Sequence, residues 1–179
     1  MTEYKKAEKT LLKTGQYHVE KGNLEKALES FRTTTKFFPK SAEAYACIAD
    51  ILFSQKKYQE VIENAYQAIG LDPKNVVAYS ALGRTFLAQA NIAAEEREIE
   101  KAIQSYTAAG AYFSLAAKHT SRLRHPLWKR KYKRWANEAL ANAAILKTPN
   151  AVAGKKYNLR KTLKSALERL PKRRLRPNE

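Results

Sequence analysis

Residues of matching character return every 34 positions through the first half of this chain. Pro39 is answered by Pro73, Ala27 by Val61, Leu24 by Tyr58 and Ser41 by Asn75, and small residues fall in step at Gly15, Ala49 and Gly83. An interval of that length marks a stacked-unit architecture, in which no unit buries its apolar face alone and each hides it against the next. Such a chain is a scaffold before it is anything else.

Each interval resolves into two helices. In the first, from about Glu8 to Ser41, Leu11, Gly15 and His18 share one stripe; Gly22-Asn23 supplies the turn; Leu24, Ala27, Phe31 and Thr34 share a second stripe that Pro39 ends. The second, about Ala42 to Asn75, repeats this with Tyr45, Ile48, Ala49, Leu52, Tyr58, Val61, Ala65, Ala68 and Pro73. Ser41 and Asn75 stand where the N-caps of the following helices belong.

On these residues the chain resembles the tetratricopeptide-repeat family. Gly15, Ala27, Phe31 and Pro39 fit its pattern in the first unit, Tyr45, Ala49, Tyr58, Ala68 and Pro73 in the second, and Tyr79, Leu82, Gly83 and Phe86 open a third. His18, at an aromatic position, and Val61, at a small one, depart from it. The resemblance covers about residues 8–118 and implies an all-α fold: a right-handed α-solenoid of three helical hairpins, here followed by two C-terminal helices. It also implies a concave groove that takes a protein or peptide segment, lined by Leu12, Lys13, Gln16 and Val19, then Ala46, Cys47, Asp50 and Phe53, then Ser80, Ala81, Arg84 and Leu87. Some family members clamp a chaperone's C-terminal carboxylates with cationic and amide side chains. The matching positions here are Leu12, Gln16, Cys47, Val77 and Ala81, which supply no cation. A partner helix or extended segment suits so apolar a groove better; the chain's own terminal helices are the competing occupant.

In the third unit the expected small residue comes seven positions late, at Ala102, followed by Tyr106 and Ala109. Seven residues are about two turns, so the expectation is a hairpin lengthened by about one turn in each arm, over 76–94 and 96–118. Pro126 suits the first position of a further helix over 126–147, with Trp128, Tyr132, Trp135, Ala136, Ala139, Ala143 and Leu146 as its stripe. An amphipathic helix over 155–170 and a mobile tail are expected after a linker at 148–154. The domain reading is therefore a repeat domain over 1–118, a basic capping helix over 119–147, and a basic remainder over 148–179.

Charge is distributed unevenly. Residues 1–118 carry 16 Lys/Arg against 14 Asp/Glu, whereas residues 119–179 carry 18 against 3, so nearly all of the net +17 comes from the last third. A field of this kind reads as a contact for something anionic. The candidate anion-binding residues are Arg122, Arg124, Lys129, Arg130, Lys133 and Arg134, then Lys155, Lys156, Arg160, Lys161 and Lys164, with a further basic run in the tail. Nucleic acid or a ribonucleoprotein particle is the partner class this favours; an acidic protein is the alternative. Attachment to a membrane surface through 155–170 is disfavoured, because its apolar face has no Trp or Phe. Trp128, Tyr132 and Trp135 can stack bases, but at this spacing they read first as helix packing. Glu95, Glu96, Glu98 and Glu100 read as an exposed helix face.

Little points to catalysis. His18, His119 and His125 have no metal-ligand spacing, Cys47 has no cysteine neighbour, and no phosphate-cradling glycine motif occurs among six glycines. The chain is read as non-catalytic, without cofactor or metal. A single cysteine and the absence of a long apolar run place it in the cytoplasm or another reducing, soluble compartment.

Overall fold

The computed structural model describes residues 3–121 and 125–148. Among them the fold is all-α, with seven helices: α1 Glu3–Glu20, α2 Leu24–Phe37, α3 Ala42–Ser54, α4 Tyr58–Leu71, α5 Val76–Glu95, α6 Ile99–His119 and α7 Pro126–Leu146. The helix, linker and tail expected beyond Thr148 lie outside the described residues. Two compact units are distinguished, with their boundary inside α5 between Leu82 and Gly83.

In the first unit α1 pairs with α2, α2 with α3, and α3 with α4. Its core is small and tightly filled: Ala27, Phe31, Ala44, Ala49, Leu52, Val61, Ala65 and Ala68 have almost no accessible surface. Phe31 lies so close to the α1 backbone that a Cβ at Gly15 would be 2.5 Å from the ring. The glycine lets two helices approach around an aromatic ring, and Ala49 and Ala65, one period on, fill the corresponding positions with two methyl groups. Helix α1 begins earlier than the expected Glu8 because Tyr4 is anchored. Its hydroxyl donates to the Phe37 carbonyl at 3.1 Å and its ring meets Phe38 edge-on at 4.5 Å.

In the second unit α6 runs back along the α5 residues that follow Leu82. Gly83 faces Phe113, where a Cβ would be 2.7 Å from the ring; Phe86 stacks on Tyr112 at 5.4 Å; the Tyr106 hydroxyl donates to Asn91 Oδ1 at 2.7 Å. Each pair lies about equally far on either side of the connection at 96–98, the signature of an antiparallel hairpin. The close glycine–phenylalanine pair is 16 residues apart in the first unit, at Gly15 and Phe31, and 30 apart in the second, at Gly83 and Phe113. Helix α5 has 20 residues against 13 in α3, and α6 has 21 against 14 in α4. Each arm has therefore gained seven residues, two turns, where the sequence reading expected about one. Ala102 and Tyr106 misled that count because a heptad shift rotates a helix by only about 20°, so they present the same face as Ala109 and Phe113.

The connections repeat more faithfully than the helices do. Gly22, Lys56 and Arg97 all take left-handed backbone angles, with φ of 75°, 59° and 62°. Behind each, the next residue donates its N–H to a carbonyl five residues back: Asn23 to His18 at 2.8 Å, Lys57 to Leu52 at 3.1 Å, and Glu98 to Ala93 at 2.8 Å. With the accompanying bonds from Gly22, Lys56 and Arg97 to Val19, Phe53 and Ala94, each closes a Schellman motif. Only the first uses glycine. A side chain in this region costs about 1–2 kcal/mol, part of which glycine returns through its freer unfolded chain. Lys56→Gly and Arg97→Gly are each expected to stabilise by about 0.5–1 kcal/mol, read as a higher urea midpoint; an unchanged or lower midpoint contradicts this.

The two caps differ. Asn75 Oδ1 accepts from the Ala78 N–H at 3.0 Å, as a cap should, whereas Ser41 makes no capping bond and its Oγ is buried without a partner.

Candidate functional site

Helix α7 is a two-sided element. Pro126 starts it, with no donor to lose at a position where none is needed. Tyr132, Trp135, Ala136, Ala139, Ala143 and Leu146 form its buried side and pack against α6, with Trp135 at 5.3 Å from Phe113 and Leu140 crossing over Gly110. Of the three aromatic residues considered for base stacking, Tyr132 and Trp135 are core, as the spacing suggested; Trp128 is half-buried.

The other side is cationic. Arg130, Lys131, Lys133 and Arg134 are exposed, and Glu138 is the only carboxylate on α7. Arg134 Nε lies 3.5 Å from Glu138, a solvated pair of little strength. Lys129 differs from its neighbours: it is half-buried and its Nζ donates to the Thr120 carbonyl at 3.3 Å, at the C-cap of α6. There a cation meets the negative end of the helix, so Lys129 has a structural task. The sequence reading missed Lys131 and Leu127. Lys131 Nζ stands 4.8 Å from the Trp128 ring centroid, and the three-residue interval between them was the available signal. Arg122, Arg124, Lys155, Lys156, Arg160, Lys161 and Lys164 lie outside the described residues.

The residues that the family pattern assigns to a groove are placed as follows. Lys13 is exposed; Gln16, Val19, Asp50 and Phe53 are half-buried; Leu12, Ala46, Ser80, Arg84 and Leu87 are buried. In the first unit Gln16 Nε2 donates to Glu43 Oε1 at 3.0 Å, tying α1 to α3, and Phe53 lies 6.0 Å from Tyr58. Glu43 was not among the expected residues.

Glu43 is exposed as a residue, but partial loss of water around its carboxyl pushes it above its usual value, more than the bond from Gln16 lowers it, and Glu8 adds repulsion. A carboxyl raised by folding binds its proton more tightly in the native state, so stability falls as pH rises through the carboxylate range. Glu43→Gln is therefore expected to melt at a higher temperature than the parent at neutral pH, with the gap closing below about pH 4. A gap that instead widens in acid contradicts the assignment.

Glu95, Glu96, Glu98 and Glu100 are all exposed, but they surround the α5–α6 connection instead of forming a helix face, and Glu98 pairs with Lys101 at 2.7 Å. Within that hairpin Tyr106 is fully buried; burial, with the Glu95 carboxylate adding to it, drives its phenol pKa strongly upward. It acts as a neutral donor to Asn91. Among the described residues no group of three or more His, Cys, Asp or Glu is arranged to hold a metal ion, and no helix is long and apolar enough to cross a membrane. Comparison of the chain with protein-family models and with curated proteins finds no match.

Proposed function

We propose that this chain is a non-catalytic adaptor of the tetratricopeptide-repeat type, a right-handed α-solenoid whose basic carboxyl-terminal region docks on an anionic partner, nucleic acid or a ribonucleoprotein particle. The repeat part of this reading is supported by the left-handed connection that recurs at Gly22, Lys56 and Arg97 and by the glycine–phenylalanine pairs. A protein segment would lie along α1 and α3, where Lys13, Gln16, Val19, Asp50 and Phe53 retain accessible surface.

The observation that carries the functional half is the outer face of α7, four exposed cations against one carboxylate. Like charges at i, i+4, such as Arg130 with Arg134, weaken an isolated helix. A polyanion lying across them removes that penalty.

Purification of the full chain at low salt tests this. Co-eluting nucleic acid that salt releases steeply is the expected result. Protein that elutes clean, and whose captured partners survive nuclease treatment, overturns it in favour of an acidic protein partner.

A further inference from the structure

Leu127 and Trp128, on the first turn of α7, belong to a shallow depression completed by Arg130, Lys131 and Arg134. None of the five is among the buried residues through which α7 packs. Leu127 is 69% exposed, more than any other large apolar side chain among the described residues. Trp128 has the Lys131 ammonium near its ring and Tyr132 at 5.8 Å, inclined by 34°. An apolar floor formed by Leu127 and Trp128 is thus surrounded by three cations.

Resting on the anion-binding reading above, the geometry points to a subsite for single-stranded nucleic acid in which one base lies on Trp128 and Leu127 and the flanking phosphates meet Arg130, Lys131 and Arg134. A strand with unpaired bases fits because both halves of the depression are used. A duplex keeps its base faces stacked inside and offers only its backbone and groove edges, and an acidic peptide brings carboxylates but no extended planar group. Lys131 makes the site exchangeable. With nothing bound, its ammonium rests by the indole; an arriving base takes that ring face, since stacking on an aromatic ring outweighs an exposed cation–π contact, and the ammonium turns to phosphate. Arg134 leaves its weak, solvated partner Glu138 in the same way. Glu138 bounds the site on that side, because its carboxylate repels a further phosphate.

The chain has two tryptophans, so Trp135→Phe leaves Trp128 as the sole indole reporter. The probes are oligouridylate and oligothymidylate, each about 12 nucleotides long, a duplex of the same length, and polyglutamate. The expected result is that both single strands quench Trp128 emission and polyglutamate does not. In the otherwise unaltered full chain, followed by probe anisotropy, Trp128→Ala weakens both single strands by about five- to a hundred-fold and leaves duplex and polyglutamate unchanged. The uridylate-to-thymidylate ratio tells RNA from DNA. Single strands bound without quenching, with the same affinity after Trp128→Ala, overturn the subsite while the anionic-partner reading stands. If no polyanion binds, both fall. Should Trp135→Phe fail to fold, the anisotropy comparison decides alone.

Discussion

Phe113→Ala is expected to lower the stability of the chain by about 3–5 kcal/mol, and the loss should shrink when Gly83→Ala is added. Phe113 is wholly buried and touches both neighbours, lying against Gly83 of α5 and 5.3 Å from Trp135 of α7. Its removal opens a cavity that two helices share. Gly83→Ala alone is also expected to destabilise. The gain in helix propensity of up to about 1 kcal/mol is offset by about 1–3 kcal/mol of overpacking, since the new Cβ would be 2.7 Å from the ring. Together the two changes place an added methyl in the space the ring leaves, the Ala–Ala composition that the chain already has at Ala49 and Ala65. Chemical denaturation of the four proteins gives the coupling, expected at about 1 kcal/mol or more. Strictly additive losses contradict the view that the small–large pairing sets the spacing of α5 and α6.

The second large effect concerns charge. Arg130, Lys131, Lys133 and Arg134 are exposed on α7. If all four meet phosphate on a single strand, together they contribute about −3 to the slope of log affinity against log salt. Changing the four to Gln should flatten the slope by that amount. Between about 50 and 200 mM salt the parent then loses about fifty-fold more affinity than the variant does. Stability should not follow affinity. The variant loses two unfavourable i, i+4 pairs, each costing about 0.2–0.5 kcal/mol, and gives up two weak solvated contacts, Arg134 with Glu138 and Lys131 with the Trp128 ring. A variant that binds less and melts no lower is the outcome that marks these cations as serving a partner. Parallel slopes for the two proteins would place the contact elsewhere in the basic third of the chain.

Helix placement was largely legible because its signals are local and redundant. Pro39, Pro73 and Pro126, the apolar stripes and the turn at Gly22-Asn23 each mark one boundary, and the helices end and begin close to them. The Schellman motifs at Lys56 and Arg97 were not legible, since neither residue advertises a left-handed angle. The bounds read for the third hairpin, 76–94 and 96–118, lie close to the observed helices, but the added length was counted as one turn per arm instead of two, because Ala102, Tyr106 and Ala109 repeat the face of residues one heptad further on. The site was less legible for a different reason. Offset within a repeat assigns Ser80, Arg84 and Leu87 to a lining, but it does not carry the burial that the structure gives them. On α7, net charge showed that cations were present without telling Lys129, which is bonded to the Thr120 carbonyl, from Lys131, which stands by Trp128.

The glycine–phenylalanine match across the 96–98 connection couples the lengths of the two arms that meet there. A seven-residue deletion in α5 alone would leave Gly83 opposite a residue one heptad away from Phe113, and an aromatic ring would be driven into a neighbour with no space for it. Removing seven from each arm keeps the pair in phase and only shortens the finger by about 10 Å. Sequences descended from a common ancestor with this chain should therefore gain or lose length here in matched pairs of two turns, and a lone indel in one arm should be found only with a changed residue at the position of Gly83 or of Phe113.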